Sequence, residues 1–191
     1  MLRQTALALL LAPLFAPLFA SAEPATYRLD PTHSFVHFEV VHFGTSTLRG
    51  RFGPVAGDVV LDREAGRGQV SLAIDTAGIN TGTAALDARL RERDLLASAE
   101  HPQAYFVAER FAFEGGKLKE LRGEFTLRGI SQPLALKALR FNCYTSPLFR
   151  REVCGGDFEA QFDRSTVGAT YGLPFVADRV RLLVEVEGVR Q

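Results

Sequence analysis

The stretch Ser34-Phe35-Val36-His37-Phe38-Glu39-Val40-Val41-His42-Phe43 decides the fold of this chain. Apolar side chains stand at positions 36, 38 and 40, whereas polar side chains stand at positions 37 and 39. A hydrophobic pattern with a period of two is typical of a β-strand that has one buried and one exposed face. We therefore predict a half-buried strand over this stretch.

Similar alternating patterns follow along the chain, at residues 55–61, 70–76, 105–113, 118–127, 133–141, 158–163 and 180–186. Turn signals such as Gly66-Arg67-Gly68 and Gly115-Gly116 separate most of them. With the short start Tyr27-Arg28-Leu29, these segments predict about eight or nine strands. Because closure into a barrel removes the unpaired edges of a sheet, we predict an all-β fold in which about eight antiparallel strands form a barrel.

One segment departs from the strand pattern. Residues 83–98, TAALDARLRERDLLAS, carry leucines at 86, 90, 95 and 96 with charged side chains between them. Apolar residues at this spacing form one stripe of an amphipathic helix. We predict a single helix of three to four turns over residues 83–98.

The first 22 residues have the organisation of a cleaved signal peptide. Arg3 provides a positive start, an apolar run follows over residues 5–19, and Ala20-Ser21-Ala22 supplies small residues for cleavage. The run is shorter than the ~20 apolar residues that a membrane-spanning helix needs. We predict a signal peptide at residues 1–22, one domain at residues 23–191 and export to an oxidising compartment.

The charge balance argues against some classes of partner. The 191 residues include 22 Lys and Arg against 22 Asp and Glu, so the formal net charge is zero. Binding to nucleic acid needs a basic surplus that neutralises phosphates, and a polybasic membrane patch needs the same surplus. We therefore expect no nucleic-acid partner.

The two cysteines, Cys143 and Cys154, are 11 positions apart. Exported proteins form disulfides in oxidising compartments, so we predict that these two residues are bridged. The competing interpretation is a cysteine-based metal site, which would need two further ligands. Residues 143–154 contain no histidine, and we therefore expect no metal.

The inward-facing positions of the predicted strands are all apolar. An eight-stranded barrel has room either for packed side chains or for one small ligand, and aromatic rings can fill such a space or bound it. The sequence pattern leaves both interpretations open. The predicted inward set comprises Val36, Phe38, Val40, Val59, Leu61, Leu72, Ile74, Phe106, Phe125, Leu136, Phe162, Leu182 and Val184.

Catalytic motifs are missing from the sequence, which has no nucleophile elbow, phosphate-binding loop, dinucleotide fingerprint or zinc-protease motif. His33 and His37 share one face of an extended strand and His42 lies on the other, so the three do not converge easily on one metal. His42 shares the face of Phe38 and Val40, where it is either a hydrogen-bonding group at a cavity mouth or a semi-buried side chain. We predict no enzymatic activity and no organic cofactor.

Several motifs stand in order over the predicted domain. They are Asp30-Pro31-Thr32-His33-Ser34, Val36-x-Phe38-x-Val40-x-His42-x-Gly44-x-Ser46, Gly50-x-Phe52, Gly57, the predicted helix with His101-Pro102 after it, Gly123-Glu124-Phe125-Thr126-Leu127-Arg128-Gly129-Ile130-Ser131-Gln132-Pro133, and Asp163-Arg164-Ser165-x-x-Gly168. Together these motifs resemble the YceI-like proteins. Two segments depart from the family pattern: the segment from Cys143 to Cys154 looks like a variant carried by part of the family, and Thr166-Val167 stands where an acidic-aromatic pair is more usual.

This resemblance implies a lipocalin-like, extended eight-stranded barrel exported to the bacterial periplasm. It also implies an elongated cavity that binds a long apolar ligand, namely a polyisoprenoid, a quinone-type or a fatty-acid-derived chain. A protein of this kind transports or stores its ligand rather than catalysing a reaction. The inward set then becomes the predicted cavity lining, and His42 and Arg164 become hypothetical hydrogen-bond partners of a polar head group.

Other aspects of function stay open at the level of sequence. The loop with Leu148 and Phe149 beside Arg150 and Arg151 either touches a membrane transiently during loading or is a solvated surface loop. A homodimer is compatible with the chain. The alternatives to a carrier are a periplasmic enzyme acting on a lipid-like substrate, with His42 as its candidate residue, and a stress-related structural protein with a filled core.

Overall fold

The computed structural model describes residues 23–191, which form ten β-strands, one short α-helix and one turn of 3-10 helix at Arg164–Val167. The predicted signal peptide, residues 1–22, lies outside the described residues. Within residues 23–191, no helix has the length and hydropathy needed to cross a bilayer. The elements are β1 (Ala25–Leu29), β2 (Phe35–His42), β3 (Ser46–Phe52), β4 (Ala56–Asp62), β5 (Arg67–Asp75), α1 (Ala84–Leu90), β6 (Gln103–Glu114), β7 (Lys117–Leu127), β8 (Ile130–Thr145), β9 (Glu152–Asp163) and β10 (Val176–Arg190).

Eight of the strands form a closed antiparallel barrel. The circuit runs β1-β4-β5-β6-β7-β8-β9-β10, and β10 pairs with β1 to close it. This topology confirms the predicted all-β barrel. Strand β2 continues the line of β1 along β10, because Tyr27 lies opposite Arg190 and Val40 lies opposite Val180. Strand β3 pairs with β2, so this hairpin extends one wall of the barrel.

Because successive antiparallel strands run in opposite directions, the connections between them alternate between the two ends of the barrel. The helix end consists of the connections at residues 76–102, 128–129 and 164–175, together with the β2–β3 turn at residues 43–45. The disulfide end consists of the hairpin turns at residues 63–66, 115–116 and 146–151, beside the start of β1 and the end of β10.

Alternating side chains of the strands build the interior. Strand β6 buries Phe106 and exposes its neighbours Tyr105 and Val107, as expected for a strand with one face toward a core. Strand β10 buries Leu182 and Val184 in the same way. The core is therefore the inside of the barrel.

A disulfide joins Cys143 and Cys154, which confirms the predicted bridge. The two residues are direct cross-strand partners on β8 and β9, and their sulfur atoms are 2.06 Å apart. The bridge closes the hairpin whose tip is the loop at residues 146–151. Since both sulfur atoms are used in the bridge, neither thiol is free to bind a metal.

The predicted helix over residues 83–98 was too long, because α1 ends at Leu90. The backbone after α1 turns away from the helical path: the amide of Leu96 donates to the carbonyl of Leu90, six positions earlier, and Ala97 adopts a left-handed conformation with φ of 50°. The Nη1 group of Arg128 binds the carbonyls of Arg93 and Leu95. These tertiary hydrogen bonds replace the helical ones over the second half of the segment.

Candidate functional site

Two apolar cavities lie inside the barrel. The larger has a volume of about 150 Å³ and reaches the helix end, where Leu90, Leu95 and Leu96 form part of its wall. The smaller has a volume of about 60 Å³ and lies toward the disulfide end, where Tyr27 and Cys154 line it. The interior thus contains open space as well as packed side chains.

Three residues mark the boundary between the two cavities. Leu72, Leu136 and Val184 line both of them. These residues come from β5, β8 and β10, so they project into the barrel from different sides of its wall. A chain that occupied both cavities would pass between these three side chains.

The structure places all thirteen residues of the predicted inward set along the two cavities. Val59 and Leu61 line the smaller cavity, toward the disulfide end. The larger cavity is lined by Val36, Phe38, Val40, Leu72, Ile74, Phe106, Phe125, Leu136, Phe162, Leu182 and Val184, and also by Arg164.

The predicted place of His42 in the cavity lining was wrong. His42 is exposed at the last position of β2, and the centroid of its ring is 4.7 Å from that of Phe43. Val40 is the last buried residue of this strand. Because β2 continues beyond the apolar interior, the next residue on the same face as Val40 lies outside it.

Arg164 lies at the helix end of the larger cavity and is only 6% exposed. Its guanidinium donates to four backbone carbonyls, those of Ala169, Tyr171, Val176 and Ala177, at distances of 2.6–2.9 Å. Burial lowers the pKa of this arginine, although the charge of Asp178 opposes the shift. Most of its donors therefore hold the connection at residues 164–175 in place.

The lining of the larger cavity offers burial rather than reactive chemistry. Its two polar side chains, Thr76 and Arg164, both donate to backbone carbonyls, and the Thr76 hydroxyl binds the carbonyl of His101 at 2.9 Å. Among the residues that line this cavity in the described part of the chain, no serine, cysteine, histidine or carboxylate is present. This arrangement can shelter an apolar chain from water, and it presents no nucleophile–base pair.

Sequence reasoning missed several residues at the helix end of the larger cavity. Leu95 and Leu96 were expected on the apolar face of a helix, and their contact with the barrel interior depends on the irregular backbone after α1. Phe52 was missed because β3 was not predicted. The other missed apolar lining residues are Ile79, Leu90, Ala104, Leu127, Leu134, Ala169 and Val180.

Comparison with known proteins identifies the family of this barrel. The model of the YceI-like domain matches residues 27–188. The chain belongs to the YceI-like family. It is 30% identical over 174 residues to Protein YceI of Escherichia coli O157:H7, and the match covers 90% of each chain.

Solved structures share the YceI-like fold at lower sequence identity. The BcnA protein of Burkholderia cenocepacia is 19% identical, with a TM-score of 0.69, and the match covers 83% of this chain and 98% of BcnA. A domain from Saccharophagus degradans, described as a polyisoprenoid-binding domain implicated in plant cell wall breakdown, is 16% identical with a TM-score of 0.61. That match covers 88% of this chain and all of the domain.

The YceI-like barrel carries exposed apolar side chains at both ends. Leu148 is 81% exposed in the disulfide-bridged hairpin, at the end opposite to the helix end. Phe43 and Phe175 stack on each other at the helix end, with ring centroids 5.4 Å apart. The loop for which a membrane contact was considered thus lies at the disulfide end, away from the larger cavity.

Proposed function

We propose that this protein binds one long apolar ligand, a polyisoprenoid, quinone-type or fatty-acid-derived chain, and transports or stores it in the periplasm. The observation that carries the proposal is the apolar lining, which extends over two cavities that share Leu72, Leu136 and Val184. The related fold of a domain described as polyisoprenoid-binding supports the same ligand class.

The energy of such binding comes from removing the tail from water. Each buried CH₂ group contributes about 0.8 kcal/mol, and this gain is offset by several kcal/mol for the lost freedom of the ligand. The larger cavity, at about 150 Å³, is comparable to an engineered apolar cavity that binds benzene. A long tail would therefore need both cavities and movement of the side chains at their boundary.

The proposed compartment follows from the disulfide and the predicted signal peptide. Disulfides persist in oxidising compartments such as the bacterial periplasm and are rare in the cytosol. The bridge between Cys143 and Cys154 supports an exported protein. In that aqueous space an apolar chain needs a protein that shields it.

Native mass spectrometry of the protein purified from its periplasm, followed by organic extraction, tests this function. We expect a discrete additional mass that resolves to an isoprenoid or acyl compound. An unchanged ligand-free mass after incubation with quinones and with fatty acids would contradict the proposal and favour the filled-core alternative. Turnover of a bound lipid would instead favour an enzyme.

A further inference from the structure

Two phenylalanines, Phe43 and Phe175, form an exposed aromatic pair at the helix end. Phe43 lies in the β2–β3 turn, Phe175 comes directly before β10, and their stacked rings have centroids 5.4 Å apart. Although the rings cover each other, they remain 58% and 63% exposed, and no other phenylalanine of residues 23–191 is more than half exposed. Single exposed apolar side chains are common, whereas exposed apolar side chains that cluster mark interaction sites.

The backbone at Phe43 shows that the turn itself does not favour phenylalanine. Phe43 and Gly44 are both left-handed, with φ of 51° and 64°. The amide of Thr45 donates to the carbonyl of His42 at 3.0 Å and closes the turn. Hairpin turns with two left-handed residues favour Asn-Gly, because most other side chains adopt this backbone at a conformational cost. Since the Phe43 ring is also exposed, neither the turn nor the core accounts for its presence.

The segments that carry the aromatic pair lack charged side chains. Residues 40–48 and residues 165–177 contain no aspartate, glutamate, lysine or arginine, although 23% of the residues in the whole chain are charged. The loop at residues 146–151, at the disulfide end, instead carries two arginines. Charges are costly in the hydrocarbon layer of a membrane, whereas protein interfaces surround their apolar centre with a polar rim. The absence of charge in these segments thus favours a bilayer over a protein partner.

The backbone that carries the aromatic pair has hydrogen-bond partners within the protein. The amide of Phe43 donates to the carbonyl of Phe175 at 2.7 Å, so the two connections are joined directly. The amide of Val176 donates to the carbonyl of Gly172 at 2.8 Å. Backbone polar groups that leave water for a membrane need internal partners. These bonds therefore lower the cost of moving the aromatic pair into an apolar layer.

Polar groups beside the aromatic pair limit how deeply it can insert. Tyr171, on the same connection as Phe175, is 55% exposed, and the guanidinium carbon of Arg89 on α1 lies 4.0 Å from its ring centroid. Arg89 is also paired with Asp94 through two hydrogen bonds of 2.7 Å. Tyrosine is favoured at the level of the lipid head groups, where its hydroxyl meets water. An inserted aromatic pair would thus leave α1 among the head groups.

The aromatic pair continues the wall of the larger cavity. Val40 on β2 lies opposite Val180 on β10, and both residues line this cavity. The next paired position toward the helix end joins His42 to Val176, and the aromatic pair follows directly along the chain. A membrane bound by the aromatic pair would therefore meet the barrel at the end that the larger cavity reaches.

We infer that the aromatic pair inserts into the surface of a phospholipid bilayer and holds the helix end of the barrel against it. This inference rests on the proposed function, because an apolar ligand that enters or leaves the larger cavity at this end then crosses less water. The insertion is shallow, and burial of apolar surface drives it rather than charge. The loop at residues 146–151 is then a solvated loop at the end that faces away from the bilayer.

Flotation with vesicles of neutral phosphatidylcholine tests this docking surface. The wild-type protein purified from the periplasm should bind, and raising NaCl from about 0.1 M to about 0.5 M should change the affinity by less than about threefold, because salt screens charges only. F43N/F175S should bind at least about tenfold more weakly, since the strength of binding follows the buried apolar area. The control L148S/F149S removes two exposed apolar side chains from the disulfide end and should bind within about twofold of the wild type.

The single variant F43N separates docking from folding. Asparagine suits the left-handed backbone at position 43, so the thermal midpoint of F43N should equal or exceed that of the wild type, whereas its binding to vesicles should fall. The chain contains no tryptophan, so F175W places a single fluorophore in the aromatic pair and L148W places one at the opposite end. Vesicles should shift the emission of F175W to shorter wavelengths, because its indole leaves water, and should leave that of L148W unchanged.

Vesicle binding that F43N/F175S retains, that L148S/F149S loses or that disappears at high salt would overturn this inference. A dimer that F43N/F175S dissolves, without any binding to vesicles, would also overturn it, because the aromatic pair would then join two copies of the chain. A wild-type protein that carries a ligand but binds no vesicles would overturn the inference and leave the proposed function intact. A wild-type protein without a ligand contradicts the proposed function instead, and the vesicle measurements still decide the role of the aromatic pair.

Discussion

At the scale of a single residue, Gly50 leaves room for the aromatic ring of Phe38 on the neighbouring strand. It lies opposite Phe38 in the β2–β3 pair, and a Cβ atom at position 50 would be 2.6 Å from the Phe38 ring. The aromatic ring therefore occupies the space that a side chain at position 50 would need. This arrangement also hides β3 from sequence analysis, because the inward series Leu48, Gly50, Phe52 has a gap in its apolar pattern.

We predict that Gly50→Ala lowers the free energy of unfolding by about 1–3 kcal/mol, as overpacked cores do. Urea denaturation at pH 7 measures the change. Reducing the ring to a smaller side chain, as in the double variant Gly50→Ala/Phe38→Leu, should make the effect of the alanine smaller than in the wild-type background. Strictly additive effects of the two substitutions would contradict the contact.

At the scale of the element, a row of alternating charges crosses the outer face of four strands. Arg49 on β3 binds Glu39 on β2 at 2.7 Å, and Arg181 on β10 binds both Glu39 at 3.0 Å and Glu159 on β9 at 2.9 Å. The hydrogen bond from Arg49 is the main reason for the lowered pKa of Glu39, and that from Arg181 is the main reason for the lowered pKa of Glu159. The row thus links the β2–β3 hairpin to the closed barrel.

The charge row predicts a specific dependence of stability on pH. Because both glutamates have folded-state pKa values below the usual 4.5, their stabilising effect is complete above that pH and is lost as the pH falls through the folded values. In Arg181→Met, the free energy of unfolding should therefore fall less steeply between pH 5 and pH 3 than in the wild type. Urea denaturation over this range measures it.

A matched control for the charge row is Arg28→Met, which breaks the more exposed pair with Asp58. Exposed pairs contribute little, so the free energy of unfolding of this variant should fall between pH 5 and pH 3 as steeply as that of the wild type. An equally steep fall in Arg181→Met would show that the charge row does not cause the pH dependence.

The disulfide is a second feature at the scale of the element, because it cross-links β8 and β9 beside the smaller cavity. Cys154 packs against Tyr27 and Leu61, and burial together with the hydrogen bond to Glu152 raises the pKa of Tyr27 to about 12. We predict that reduction of the bridge lowers the free energy of unfolding by about 3 kcal/mol. Denaturation with and without reductant measures this, and Cys143→Ala/Cys154→Ala should show no response to the reductant.

At the scale of the whole molecule, the interior is divided into two cavities, and under the proposed function this division limits the length of the ligand tail. Leu136 is buried between the cavities, whereas Leu139, on the same strand, is 51% exposed on the outside. The same substitution at these two positions separates an effect on the interior from a general effect on β8. Neither residue is needed for the closure of the barrel by backbone hydrogen bonds.

We predict that Leu136→Ala lowers the free energy of unfolding by about 2–5 kcal/mol and shifts ligand preference toward longer tails, because it joins the two cavities. Competition between acyl chains of 12 and 18 carbons measures the preference. Leu139→Ala should change stability by less than about 1 kcal/mol and leave the preference as it is. If the interior is instead a filled core, Leu136→Ala should lower the free energy of unfolding, and the competition between the two acyl chains should not change.

By itself, the sequence determined the strand character of the chain, the faces of most strands, the disulfide and the family. These properties follow from local periodicity and short motifs, which act within a few residues. Only the tertiary structure decided how deeply each side chain is buried and which distant residues lie next to one another. Val40 and His42 share a face, yet one is buried and the other exposed, since depth depends on a register set by β10, more than a hundred residues away. In the same way, Arg128 lies beside Gly168 only because the closed barrel brings the connections at residues 128–129 and 164–175 to the same end.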